Sequence, residues 1–154
     1  MTAFEEEIII NAPVTAVWEV LADIGTIARW NPGLRSSETI NAINGLGAQR
    51  MCVISRTQWL TEEVIAFRPQ QEITFQITRT TLPFKVARIH FGLYEVSSGT
   101  RVTVSPRYSL KYGILGTLLD ALMVRSAYRK GMIDLLEGLK THLEKQSVAE
   151  TPMA

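Results

Sequence analysis

The chain has 154 residues, 46% of them hydrophobic and 20% charged, and a formal net charge of +1. That length fits one domain with a sizeable core, and a balanced charge without a run of Lys and Arg argues against a nucleic-acid partner, because neutralising phosphates takes a basic patch. The one cysteine, Cys52, excludes an internal disulfide framework and fits a reducing compartment. No basic segment followed by an apolar run opens the chain, and no apolar stretch reaches the roughly 18 residues of a membrane span. A cytoplasmic location is the expectation.

Residues 4–11 alternate as a strand, with Phe4, Ile8 and Ile10 on one face and Glu5, Glu7 and Ile9 on the other. Asn11 suits a helix N-cap and Pro13 a first helical turn. Val17, Trp18, Val20 and Leu21 then predict a short helix ending near Gly25, with Trp18 packing it on a sheet. A second short helix over 26–29 stops at Trp30-Asn31-Pro32-Gly33, because the residue before a proline avoids the α region.

From 34 to 110 the pattern is almost all strand. Residues 39–43 lead into the turn Asn44-Gly45-Leu46-Gly47. Strands over 50–59 and 60–67 come next with no clear tight turn between them, and Arg68-Pro69-Gln70 makes the next turn. Ile73, Phe75 and Ile77 alternate with Thr74, Gln76 and Thr78, a half-buried pattern. Ala87, Ile89, Phe91 and Leu93 repeat it, and Ser97-Ser98-Gly99 turns into a last strand with Val102, Val104, Pro106, Tyr108 and Leu110 on one face.

Residues 115–145 predict one amphipathic helix of about eight turns. Leu118, Ala121, Leu122, Met132, Leu136, Leu139 and Leu143 share its apolar side, and Asp120, Lys130, Asp134, Glu137 and Thr141 the other. Arg125 and Arg129 sit a turn apart within the apolar stripe, with Ser126 beside them. Guanidinium groups do not enter a tightly packed stripe without partners, which predicts a helix lying over an incompletely filled space. The whole reads as a single domain over 1–146 with a flexible tail over 147–154. Short hairpins imply an antiparallel sheet, covered on one face by the helices, and a curled sheet over one helix leaves a pocket.

The opening Ile8-Ile9-Ile10-Asn11-Ala12-Pro13, Val17-Trp18, Leu21-Ala22-Asp23 and Trp30-Asn31-Pro32 resembles that of the START-related, Bet v 1-like superfamily (SRPBCC), and within it the polyketide cyclase/dehydrase-like branch. Gly47, the strand from Glu62 to Pro69, Gly99-Thr100-Arg101-Val102 and the helix end at 136–143 continue the pattern in the same order. The resemblance spans about residues 3–146. It implies an α+β helix-grip fold, a curved seven-stranded antiparallel sheet wrapped around a long C-terminal helix, with a hydrophobic cavity between them. The family includes lipid and hormone carriers, cyclases and hydrolases, so it implies a pocket rather than a reaction.

The expected ligand-binding residues are Trp30, Trp59, Phe75, Phe91, Tyr108, Leu122, Arg125, Ser126, Arg129 and Met132. Phe75, Phe91 and Tyr108 share the concave parity, where aromatic walls suit an apolar or ring-containing ligand or simply fill the core. Arg125 and Arg129 could anchor a carboxylate, phosphate or enolate, or snorkel to water and pair with Glu62, Glu63 or Asp23. Strand parity turns His90 outward, and His142 falls on the helix surface. Two distant histidines and one cysteine give no metal site, the Gly45-Leu46-Gly47 loop is a hairpin turn rather than a dinucleotide fingerprint, and no cofactor is expected. Gly131 and Gly138 on the back of the helix are either tolerated on a solvated face or admit another backbone, from a strand edge or from the second copy in a homodimer.

Three functions fit this reading. The first is a carrier holding a lipid, isoprenoid or polyketide-like compound in the cavity. The second is a polyketide cyclase or dehydratase-type enzyme using the same cavity, for which no general base stands out on the concave face. The third is a module binding a protein partner through its outer surface.

Overall fold

A computed structural model describes the backbone of residues 1–150 and the side chains of residues 1–146; the expected tail, 147–154, falls outside the residues described in full. Strands β1 (Thr2–Ala3), β2 (Glu6–Ile10), β3 (Ser36–Thr39), β4 (Gln49–Val53), β5 (Trp59–Arg68), β6 (Glu72–Thr80), β7 (Phe84–Val96) and β8 (Gly99–Leu110) form one antiparallel sheet. Its order is β1–β8–β7–β6–β5–β4–β3, with β2 also on β8.

The first strand is a single strand interrupted by a proline on its neighbour. Phe4 lies opposite Pro106, between the pairs Ala3–Arg107 and Glu6–Val104. The Phe4 N–H donates to the Pro106 carbonyl at 3.3 Å, but Pro106 has no N–H to return, so the ladder breaks there. Counted as one, β1 and β2 give the expected seven-stranded helix grip.

Helix α1 (Val14–Ala22) and a 3₁₀ turn over Ile24–Arg29 connect β2 to β3. Pro13 is the residue before the helix, not within it, and no side chain caps it; the Asn11 N–H instead donates to Glu144 at 3.1 Å. Trp18 is buried and meets Phe67 with ring centroids 5.1 Å apart. The strand boundary between 50 and 67 falls at a turn over 54–58, and the strand expected at 39–43 is mostly loop.

The C-terminal helix departs from the expectation of one regular amphipathic rod. Helix α2 (Gly113–Leu119) passes into a π turn over Asp120–Val124, closed where the Arg125 N–H reaches the Asp120 carbonyl five residues back, and then into α3 (Arg125–Glu150). A π turn adds one residue and so rotates the helix before it by about 100° relative to the helix after it. Met132, Leu136, Leu139 and Leu143 face the core as expected, so Leu118, Ala121 and Leu122 do not. Asp120, expected on the solvent side, is buried in their place.

Gly138 accounts for one of the two helix glycines. A Cβ there would stand 2.0 Å from the Trp30 carbonyl oxygen and 2.9 Å from Pro32 Cδ, so the missing side chain lets the loop after the 3₁₀ turn lie against α3. Around Gly131 there is only open space.

Candidate functional site

Alternation along the strands decides what faces the helix. On β4, Arg50 and Cys52 point to the concave side, as do Ala48 just before it, Glu62 and Val64 on β5, Phe75 on β6, Ala87, Ile89 and Phe91 on β7, and Val104 and Tyr108 on β8. The wall is apolar except at two places.

The first is an ion pair. Arg50 and Glu62 are register partners on adjacent strands, and Arg50 Nε donates to Glu62 Oε2 at 2.7 Å. Their side chains are 4% and 5% exposed. Arg50 Nη1 also donates to the Ile24 carbonyl at 3.1 Å, and the guanidinium lies over the Phe75 ring, 3.9 Å from its centroid. Carboxylate, carbonyl and ring face thus hold the buried cation together.

The second is built around Asp120. Its Oδ1 accepts from the Tyr108 hydroxyl, and its Oδ2 accepts from Thr2 Oγ1 at 2.5 Å. The π turn is what brings this carboxylate under the helix, a common use of such turns at functional positions. Burial, then the bonded Asp120, raises the Tyr108 phenol well above its ordinary value, which keeps it a neutral donor. Tyr128 stacks on Tyr108 at 5.2 Å and 25°, and Phe84 meets both rings edge-on or tilted at 5.5 Å. Burial also raises the Tyr128 phenol, with Glu62 next in weight. Leu60, Ile77, Phe84, Leu110, Val124 and Tyr128 are only partly buried, so this end of the grip presents half-covered apolar surface around the two polar pairs.

The ten residues expected from the sequence separate into two sets. Phe75, Phe91, Tyr108 and Met132 are buried on the concave side or beneath the helix, with Phe75 and Phe91 edge to face at 6.1 Å. Trp59, contrary to expectation, is half-buried at the start of β5 on the convex side, because Glu62 and Val64 of the same strand take the concave parity. Trp30 is buried at the α3 contact, where its indole N–H finds no partner among the described residues. Leu122, Arg125 and Ser126 stand on the exposed side. Arg129 is half-exposed, 3.2 Å from Glu6 and over the Phe4 ring at 5.2 Å, rather than paired with Glu62, Glu63 or Asp23.

Sequence reasoning misses Arg50, Glu62 and Asp120. The first two had a usable signal, because they share parity with Cys52 and Val64. For Asp120 there was none, since its inward turn depends on the π geometry. His90 lies on the convex side, bonded to Thr74 Oγ1 at 2.8 Å. No group of three metal-ligating side chains comes together among the described residues.

Two open clefts lie outside the grip. One of about 810 Å³ sits between the start of α1 and the turns 69–71 and 95–99. The other, about 540 Å³, runs between residues 28–34 and the outer side of α3, with Trp30 in its wall.

A curved antiparallel sheet closed over a C-terminal helix, with polar pairs set in an apolar concave face, defines a helix-grip domain. The family model described as polyketide cyclase / dehydrase and lipid transport matches residues 1–144, and the chain belongs to that family. Among solved structures, TTHA0849 from Thermus thermophilus superposes with a TM-score of 0.79 at 21% identity, covering 95% of this chain and 99% of that one. The Zhui aromatase/cyclase from Streptomyces sp. R1128 gives 0.81 at 15% identity, covering 95% of each chain. A START superfamily protein from Mycobacterium smegmatis gives 0.77 at 12% identity, covering 94% and 98%. At these identities the likeness is one of fold. No curated protein matches the sequence.

Proposed function

We propose that this protein binds an apolar small molecule carrying at least one oxygen function, such as a lipid, isoprenoid or polyketide-like compound, between the concave face and the C-terminal helix. The observation that carries the reading is the placement of Arg50–Glu62 and Tyr108–Asp120 in an otherwise apolar wall, next to half-covered Leu60, Ile77, Phe84 and Leu110. Burial of apolar ligand surface supplies affinity at about 25 cal/mol per Å². The polar pairs, fixed in advance, orient the ligand's oxygen atoms. Phe75, Phe91 and Met132 form the floor.

A second reading is catalytic. Two carboxylates, Glu62 and Asp120, do occupy the concave side, and one of them is bonded to a phenol that stays protonated. A Tyr108 hydroxyl that turns its one proton from Asp120 to the substrate, together with the Arg50 cation, would stabilise an enolate during cyclisation of a polyketide chain.

Native mass spectrometry of protein from its own host, followed by solvent extraction, tests the first reading. A stoichiometric apolar passenger, depleted in the Tyr108→Phe variant while that variant stays folded, is the expected result. Protein that is empty, and stays empty when offered lipid and aromatic extracts of that host, overturns it. Ring closure of a poly-β-ketone thioester, lost in Tyr108→Phe, would favour the second.

A further inference from the structure

The near-neutral net charge conceals an uneven distribution. Residues 73–94 contain no carboxylate, and residues 100–133 contain six lysines and arginines and one carboxylate, Asp120. That carboxylate is turned inward onto Tyr108 and Thr2. The β6–β7 turn and the start of α2 lie together, because the Lys111 N–H donates to the Pro83 carbonyl at 2.9 Å. Of the six cations, Arg101, Arg129 and Lys130 pair with Glu7, Glu6 and Asp134 outside that stretch, so the basic character of this end rests on Lys85, Lys111 and Arg125.

The same end exposes a continuous apolar surface. Ile114 is 91% exposed, Leu115 60%, Leu118 55%, Leu122 69% and Met123 66%. Single exposed aliphatics are ordinary, but these recur at three- and four-residue spacing over α2 and the π turn, so they form one patch. Tyr112, 67% exposed, stands at its edge. Lys85, Lys111 and Arg125 border the patch with no carboxylate in ion-pair range among the described residues.

We propose that this face docks the protein on an anionic lipid bilayer, with α2 lying in the interface plane and the lysines and arginines among the headgroups. An aliphatic helix face bordered by cations is complementary to a surface that is apolar below and negative at the headgroups. A second copy of the chain is the poorer occupant. Two-fold pairing sets the same patch against itself, which would bring Lys85, Lys111 and Arg125 against their own copies, while nearby Asp120 is bonded inward and Glu6 is paired with Arg129. The apolar segment is also too short to cross: no described helix is long and apolar enough to span a membrane. The inference does not depend on what the interior binds.

Co-sedimentation with vesicles of phosphatidylcholine alone, and of phosphatidylcholine with one quarter phosphatidylglycerol, tests it. The protein should pellet with the anionic vesicles, and raised salt should release it. Leu115→Ser with Leu118→Ser, and separately Lys111→Glu with Arg125→Glu, should each lower the partition coefficient by more than about tenfold, with thermal unfolding unchanged because all four positions are exposed. No binding to anionic vesicles overturns the proposal. So does equal binding by the natural chain and the charge-reversed variant. A dimer in sedimentation equilibrium that Leu115→Ser with Leu118→Ser dissociates would reassign the patch to self-association.

Discussion

Arg50 and Glu62 face each other across two adjacent strands at 2.7 Å, in a wall whose other side chains are almost all apolar. Removing either partner leaves the other as a buried, unpaired charge. Glu62→Leu or Arg50→Met alone should cost about 3–5 kcal/mol. The double variant Arg50→Met/Glu62→Leu should recover most of that loss, since two apolar side chains of similar volume remove both desolvation penalties. Urea unfolding of the two single variants and the double variant gives the coupling directly. If the double variant holds its fold yet retains no ligand, the pair serves recognition rather than stability.

Tyr108 and Asp120 test the role of the π turn. Tyr108→Phe removes a donor and leaves Asp120 with Thr2 alone, which should cost about 1–3 kcal/mol. Asp120→Leu should cost less than its burial suggests if the widened turn relaxes to a regular helix. Hydrogen exchange at the Arg125 amide, which bonds the Asp120 carbonyl, would report that relaxation. Unchanged protection there would show that the π turn is held by the backbone and its neighbours rather than by the carboxylate.

These two pairs also mark how far the sequence could be read. Strict alternation around Phe75, Phe91 and Tyr108 gave the inward face correctly, because a period of two leaves no choice once one face is covered. The same parity put Arg50 inward, yet a charged residue on a strand reads as solvent-facing unless its partner on the next strand is known. Glu62 is that partner, and the β4–β5 register depends on a turn at 54–58 without strong turn residues. Helix periodicity worked from Met132 to Leu143, where the turn geometry is regular. It failed from Leu118 to Leu122, because one inserted residue shifts the phase and periodicity carries no sign of it. The fold was legible from local patterns; the polar half of the site depended on register and on a single widened turn.

Gly138 and Gly131 lie on the same helix and should respond in opposite senses. Alanine at 138 must push the Trp30 carbonyl or the helix aside, because its Cβ would fall 2.0 Å from that oxygen. Gly138→Ala should therefore destabilise by more than about 1 kcal/mol, as overpacking does. Alanine at 131 meets nothing within 4 Å and should stabilise by about 0.5–1 kcal/mol through helix propensity. Thermal unfolding of the two variants side by side checks this. A stabilised Gly138→Ala would mean that the loop carrying Trp30 does not rest on the helix in solution.

Cys52 and the two stacked tyrosines set the behaviour of the protein in alkali. Burial, opposed by Arg50 and aided by Glu62, pushes the Cys52 thiol from 9.0 up to about 12. Burial likewise raises the Tyr108 and Tyr128 phenols above their ordinary 10.0. In each case the unfolded chain gives up its proton at a lower pH than the folded chain does. The folded state therefore keeps the full contribution of these groups below about pH 9 and loses it progressively as the pH rises toward their folded values. The urea midpoint should be flat from about pH 7 to 9 and fall beyond it, and in Cys52→Ala the fall should begin nearer pH 10, where the phenols take over. The same burial should leave the thiol unreactive toward iodoacetamide in the native protein at neutral pH and reactive in urea. Rapid alkylation of the native chain would mean that the concave wall around Arg50 and Glu62 is open to reagent, and the alkaline onset should then stay put when Cys52 is replaced.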